Sequence, residues 1–141
     1  IYAYSSKDTA QGGQEFPVST GDEFTKRDFM KTALVLSANS AASAMAHSTG
    51  LSDEEFKQAM NDKVNQLGMT QSHFVEPTGL SENNVSTVED LALLMRTVSH
   101  YPMLMEPLGA TEHKMTRRNP NTGNEVVVRT TNRLIKNHDP Y

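Results

Sequence analysis

The chain has 141 residues, no Cys, 36% hydrophobic and 21% charged residues, and 13 Lys+Arg against 17 Asp+Glu for a net charge of −4. That length fits one domain, which at this size buries roughly 68–70% of its unfolded surface, and the acidic balance leaves no broad basic face for a nucleic-acid backbone. The absence of Cys excludes disulfide scaffolds, thiolate nucleophiles and Cys-ligated zinc, and the longest apolar run, 91–95, falls far short of the roughly 20 residues that cross a bilayer.

Residues 1–24 are rich in Gly, Ser, Thr and Gln, with Gly12-Gly13 and Pro17 as breakers, and are expected to be loop with one short extended piece. Residues 1–7 have neither an initiator Met nor the basic start and apolar centre of a secretion signal, so the chain reads as an excerpt of a longer polypeptide. From Thr25 the pattern turns helical. Thr25 and Asp28 have capping-box spacing, and Phe29, Ala33 and Leu36 share a face with Met30 and Leu34 beside it, predicting a helix over 25–36. A second helix over 40–47 is rich in small residues and ends at Gly50. Ser52 and Glu55 open a third, on which Phe56, Met60, Val64 and Leu67 recur along one face, the first three expected in the core, before Gly68 closes it. Residues 70–75 read as extended and 76–79 as a turn. Thr87 and Asp90 open a further helix with the stripe Leu91, Leu94, Met95 and Val98, stopped by Pro102. Strands near 111–117 and 125–131 flank a hairpin loop at 119–124. The predicted class is α/β in the α+β sense: a loop-rich entry over 1–24, a helical subdomain over 25–110, and an antiparallel hairpin over 111–135 belonging to a larger sheet.

Most candidate chemistry falls away. His47, His73, His100, His113 and His138 stand singly, with no i,i+4 pair, so no metal site is expected. Gly12-Gly13 lacks the Gly-Lys-Ser/Thr that opens a helix on phosphate, so no cofactor is expected either. Arg117-Arg118 reads as a solvated strand end. Ser37-Ala38-Asn39 differs because it lies where one helix stops and the next begins, and a hydroxyl beside an amide can relay a proton and hold a substrate amide. On spacing alone the same Ser is an ordinary helix cap.

Three blocks extend the signal. Residues 29–42, Phe-Met-Lys-Thr-Ala-Leu-Val-Leu-Ser37-Ala38-Asn39-Ser-Ala-Ala, resemble the leucine-rich helix running into S-G/A-N-D/S-A-A of the serine-type D-alanyl-D-alanine carboxypeptidases, the low-molecular-mass penicillin-binding proteins of peptidase family S11. Residues 67–80 are similar to that family's L-G-M-x-x-T/S-H-F-x-N-P-x-G-L, with Glu76 in place of the usual Asn. Residues 86–94 are similar to S-T-A-x-D-L-A-x-L. The resemblance implies part of the penicillin-binding/β-lactamase-like transpeptidase fold, and an acyl-enzyme mechanism that removes the terminal D-Ala from peptidoglycan stem peptides.

The family's other motifs, S-x-x-K and K-T-G, are missing: no Ser here is followed by Lys three positions on. Asn121-Thr122-Gly123 imitates K-T-G without the cation and reads as a turn. What the resemblance implies for this chain is therefore confined to two catalytic residues. Ser37 would shuttle the proton needed by the departing D-Ala amine, and Asn39 would bind the peptide side of the substrate and help hold the Lys. Both would face a groove completed by segments outside this polypeptide. Peptidoglycan stem peptides are the expected partner, β-lactams the expected covalent inhibitors of the full-length enzyme, and the expected location is extracytoplasmic, with any peripheral membrane anchor outside this chain. The isolated chain is expected to be inactive. Two other readings of the blocks stay open: a β-lactamase or endopeptidase of the same fold, and a non-catalytic homologue that binds cell-wall peptide. A helical adaptor unrelated to peptidoglycan is the third.

Overall fold

Side chains, not backbone, start most of the helices. A computed structural model describes residues 1–9, 12–14, 16–119 and 124–136. Two short strands, β1 (Tyr2–Ala3) and β2 (Glu23–Phe24), pair antiparallel and close the entry segment on itself. Helix α1 (Lys26–Leu36) opens on a reciprocal cap: the Thr25 hydroxyl accepts from the Asp28 N–H at 3.1 Å, and the Asp28 carboxylate accepts from the Thr25 N–H at 3.1 Å. After α2 (Asn39–His47), helix α3 (Asp53–Gln66) repeats the device with Ser52 and Glu55.

Helix α4 (Val88–Val98) is capped by Thr87 alone, because the Asp90 carboxylate turns away to accept from the Gln71 N–H at 2.9 Å and the Ser72 hydroxyl at 2.7 Å. Pro102 does not merely stop α4. It is the first residue of α5 (Pro102–Leu108), where a missing N–H costs nothing. Strands β3 (Glu112–Thr116) and β4 (Glu125–Arg129) form the expected hairpin, with Met115 opposite Val126 and His113 opposite Val128. A last turn, α6 (Arg133–Lys136), follows. Residues 120–123 of the expected hairpin loop lie outside the described residues.

The core sits elsewhere than the helical stripes predict. Phe29 lies at its centre, meeting Tyr2, Phe16 and Phe24 edge-on at ring-centre distances of 5.9, 6.2 and 5.7 Å, while Tyr4 meets Phe16 at 5.9 Å. Four of these five rings come from the segment expected to be loop with one short extended piece. Met115, Val126 and Val128 close the cluster from the hairpin, and Ala38, Ala41 and Ala44 let α2 approach α1 closely. On α1 the buried residues are therefore Phe29, Thr32 and Val35, not the predicted Phe29, Ala33 and Leu36. On α3 only Val64 is buried, with Phe56 and Met60 half-buried. On α4, Leu91 and Met95 remain 46% and 53% exposed, because the face turned inward is the one carrying Asp90.

Polar staples tie the entry segment down. Asp8, fully buried, accepts from the Ser5 N–H at 2.6 Å and the Tyr2 hydroxyl at 3.0 Å, and contacts His47 Nδ1 at 2.6 Å, while His47 Nε2 faces Asp53 at 3.1 Å. Arg117, expected on a solvated face, donates to Asp22 at 2.8 Å and to the Pro17 carbonyl at 3.1 Å, fastening β3 to the entry segment.

Two of these carboxylates make stability depend on acid. Burial pushes the Asp28 carboxyl up, but the imidazole of His113 at 3.2 Å and the Thr25 hydroxyl and N–H outweigh it and hold it below the usual carboxylate range. Burial likewise raises Asp22, and the Ser19 N–H and the Arg117 guanidinium bring it below its ordinary value. A folded-state pKa below the unfolded value contributes stability that is complete above the unfolded value, near 3.9 for Asp, and is lost as pH falls through the folded value. Asp28→Asn is expected to cost about 1–2 kcal/mol at pH 7. In urea titrations followed by circular dichroism, that deficit should persist to about pH 5 and shrink below about pH 4.

Candidate functional site

Helix α1 ends without a glycine. Ser37 takes the left-handed cap itself, at φ 59° and ψ 37°, and is the only non-glycine with positive φ among the described residues. Such a conformation costs an L-residue roughly 1–2 kcal/mol, and strain of this kind collects where function dictates the backbone. The turn leaves Ser37 exposed and starts α2 two residues later.

The start of α2 is finished by a distant strip of chain. Ala38 has no capping side chain; instead it bridges Gln14 in parallel, and the Asn39 N–H donates to the Gln14 carbonyl at 2.9 Å. The Asn39 side chain, in a residue only 9% exposed, points its amide at the Gly12 carbonyl, 3.4 Å away. Between them lies Gly13 at φ +77°, so close that a Cβ there would sit 1.7 Å from Asn39 Nδ2 and 3.2 Å from Leu80 Cδ2. The Gly12-Gly13 pair was visible in the sequence as a breaker, but nothing linked it to Asn39.

Ser37 and Asn39 share a groove of about 360 Å³, whose wall also includes Met30, Leu34, Thr78 and Leu104. The groove lies between α1, α2, α5 and the 77–78 turn, on the face of α1 opposite the hairpin, which packs on the Phe29, Thr32 and Val35 side. Two larger hollows, about 830 and 570 Å³, flank the other sides of the same turn and include neither residue. Among the described residues the 360 Å³ groove has no charged side chain. It offers a hydroxyl and an amide, each able to donate and accept, on an apolar wall.

The turn that brings Pro77 and Thr78 to the groove is built around one carboxylate. His73 and Val85 exchange backbone hydrogen bonds at 2.8 and 2.9 Å and pinch a loop between them. Inside it Glu76 accepts from the N–H groups of Thr78, Gly79 and Ser81 at 2.6, 2.9 and 3.1 Å, from Asn84 Nδ2 at 2.6 Å, and from the Thr78 hydroxyl. Burial pushes this carboxyl up, yet those donors hold it below the usual range. His73 serves through its backbone and keeps its side chain exposed. Asn132 starts α6 by accepting from the Leu134 N–H at 3.0 Å, away from the groove.

The chain is similar in sequence and fold to known proteins. The family model for D-alanyl-D-alanine carboxypeptidase, Peptidase_S11, matches residues 2–141. The chain is 38% identical over 120 residues to the D-alanyl-D-alanine endopeptidase of Pseudomonas aeruginosa, an alignment covering 85% of this chain and 38% of that protein. Its fold is similar to the D-alanyl-D-alanine carboxypeptidase from Mycobacterium tuberculosis H37Rv, with a TM-score of 0.82 at 24% identity over 96% of this chain and 51% of that one. Penicillin-binding protein D2 from Listeria monocytogenes, solved in its ampicillin-bound form, gives a TM-score of 0.62 at 29% identity over 79% and 44%. The chain thus spans between 38% and 51% of the length of these proteins. With mixed helices and antiparallel strands arranged as in the penicillin-binding peptidases and the family model matched from residue 2 to residue 141, the chain belongs to the S11 family of D-alanyl-D-alanine carboxypeptidases.

Proposed function

We propose that this chain carries the Ser-x-Asn corner of a serine-type D-Ala-D-Ala carboxypeptidase, which acts outside the cytoplasmic membrane on peptidoglycan stem peptides. The observation that supports this most is local: Ser37 is held in a left-handed cap with its residue exposed, and Asn39 is pinned beside it by residues 12–14, both on one groove. In this reading a Ser outside these residues attacks the penultimate D-Ala carbonyl and forms an ester. The Ser37 hydroxyl passes a proton to the departing D-Ala amine, and water then hydrolyses the ester. The Asn39 amide holds the peptide backbone of the substrate. Because the sequence contains neither S-x-x-K nor K-T-G, the nucleophile, its Lys base and the oxyanion donors are not among these residues.

Endopeptidase action on cross-linked stem peptides is a second reading, favoured by the 38% identity to an endopeptidase. A penicillin would acylate the same nucleophile in either case. The test is to incubate the full-length protein with a fluorescent penicillin and, in parallel, with a D-Ala-D-Ala-terminated pentapeptide and a cross-linked dimer. A covalent fluorescent band with D-Ala released from the pentapeptide is expected, and dimer cleavage without D-Ala release would establish the endopeptidase. A protein that neither labels nor cleaves is no enzyme of this class, and the 141-residue chain by itself should stay unlabelled.

A further inference from the structure

The loop between His73 and Val85 has a carboxylate for a core. Five donors converge on Glu76, from Thr78, Gly79, Ser81 and Asn84, against the roughly four lone-pair sites that a carboxylate offers. Asn84 completes the clamp by accepting from the Val75 N–H at 2.7 Å. At the reach of this side chain Gln could not replace the anion, since one of its two polar atoms would turn a donor toward donors. Charge-assisted bonds of this kind are about twice as strong as neutral ones.

The residues so held are those that reach the groove. Pro77 and Thr78 line it together with Ser37 and Asn39. Leu80 stands against Gly13, which in turn packs on the Asn39 amide. We propose that Glu76 is a positioning residue for the reaction at this groove: its carboxylate holds residues 77–80 and, through Leu80 and Gly13, keeps the Asn39 amide in place. The proposal rests on the Ser37–Asn39 groove being the active-site corner described above. The depressed pKa of Glu76 agrees with it, because only a well-satisfied anion offsets the cost of its burial.

The test compares Glu76→Gln, Glu76→Ala and Asn84→Asp in the full-length protein. Asn84→Asp keeps the acceptor for Val75 but places a second carboxylate against the first. Two readouts are taken: the second-order rate of acylation by a fluorescent penicillin, normalised to folded protein, and amide hydrogen exchange at Asn39 and Thr78. All three variants are expected to lose about tenfold or more in acylation rate and to exchange faster at both amides, while α3 keeps its protection. Glu76→Gln, equal in size to Glu, should be as impaired as Glu76→Ala; a residue that only filled space would leave it at the wild-type rate. Should Glu76→Gln fail to fold, Asn84→Asp carries the same readouts. Unchanged acylation with faster exchange confined to residues 78–81 overturns the proposal. If the wild-type protein is not labelled at all, the peptidase reading falls, and exchange at Asn39 still decides whether Glu76 holds this groove: unaltered exchange there ends the positioning role, and faster exchange upholds it.

Discussion

Gly13→Ala in the full-length protein is expected to cut its acylation by penicillin about 100-fold, although the substitution adds one methyl group to a segment with no chemistry of its own. Two effects act together. The position has φ +77°, which L-residues resist, and the new Cβ would fall 1.7 Å from Asn39 Nδ2. Since Cβ atoms do not approach so near, either residues 12–14 lift off α2 or the amide swings away from its place beside Ser37. Lifting the strip would also break the bond from the Asn39 N–H to the Gln14 carbonyl at 2.9 Å, which finishes the start of α2. Either way the amide that the proposed reaction uses to hold substrate moves by an ångström or so, and displacements of that size cost about 10²-fold in rate. Acylation kinetics checks this directly. Gly12→Ala is the informative control, because a Cβ at Gly12 meets nothing within 4 Å and only the backbone cost remains. Equal losses in the two variants would show that the close approach to Asn39 is irrelevant.

Phe29→Ala should have the largest effect on stability, about 3–5 kcal/mol, against a total of about 5–15 kcal/mol for a typical domain. The ring is fully buried and makes three edge-on contacts, all of them to the entry segment before α1 and one of them to β2's Phe24 at 5.7 Å. Removing it opens a cavity where the entry segment, α1 and the hairpin meet, so none of them can close it by moving alone. A chemical-denaturation midpoint followed by circular dichroism should fall accordingly, with much of the cooperative transition lost. Val88→Ser, at a position 80% exposed, should shift the same midpoint by no more than about 0.5 kcal/mol. If Phe29→Ala were as mild as Val88→Ser, the aromatic cluster would not be the core.

Helices whose ends are written in neighbouring residues were readable directly. Thr25 with Asp28, Ser52 with Glu55, and Thr87 with Asp90 are contacts over three residues, and each cap formed where its spacing placed it. The β3–β4 hairpin was legible for the same reason, since two strand-like runs joined by a stretch of turn residues need only one local pairing. Pro102 was misread as a pure stop because a proline ends one helix and begins another by the same lost N–H. The α4 stripe was misjudged because periodicity reveals that a face is apolar, not what covers it.

What the amino-acid sequence determined unaided was the set of local elements and, through Ser37-Ala38-Asn39 and the two later blocks, the family. Tertiary structure alone decided which face of α1 is buried, that Tyr4, Phe16 and Phe24 of the apparent loop build the core, that residues 12–14 hold Asn39, and that Glu76 holds the turn whose Pro77 and Thr78 line the groove. The division follows from distance along the chain. Caps and turns are settled within three or four residues, where side-chain chemistry acts on its own backbone. By contrast, Gly13 meets Asn39 and Leu80 only after the chain has folded back, and no spacing in the sequence encodes such a contact.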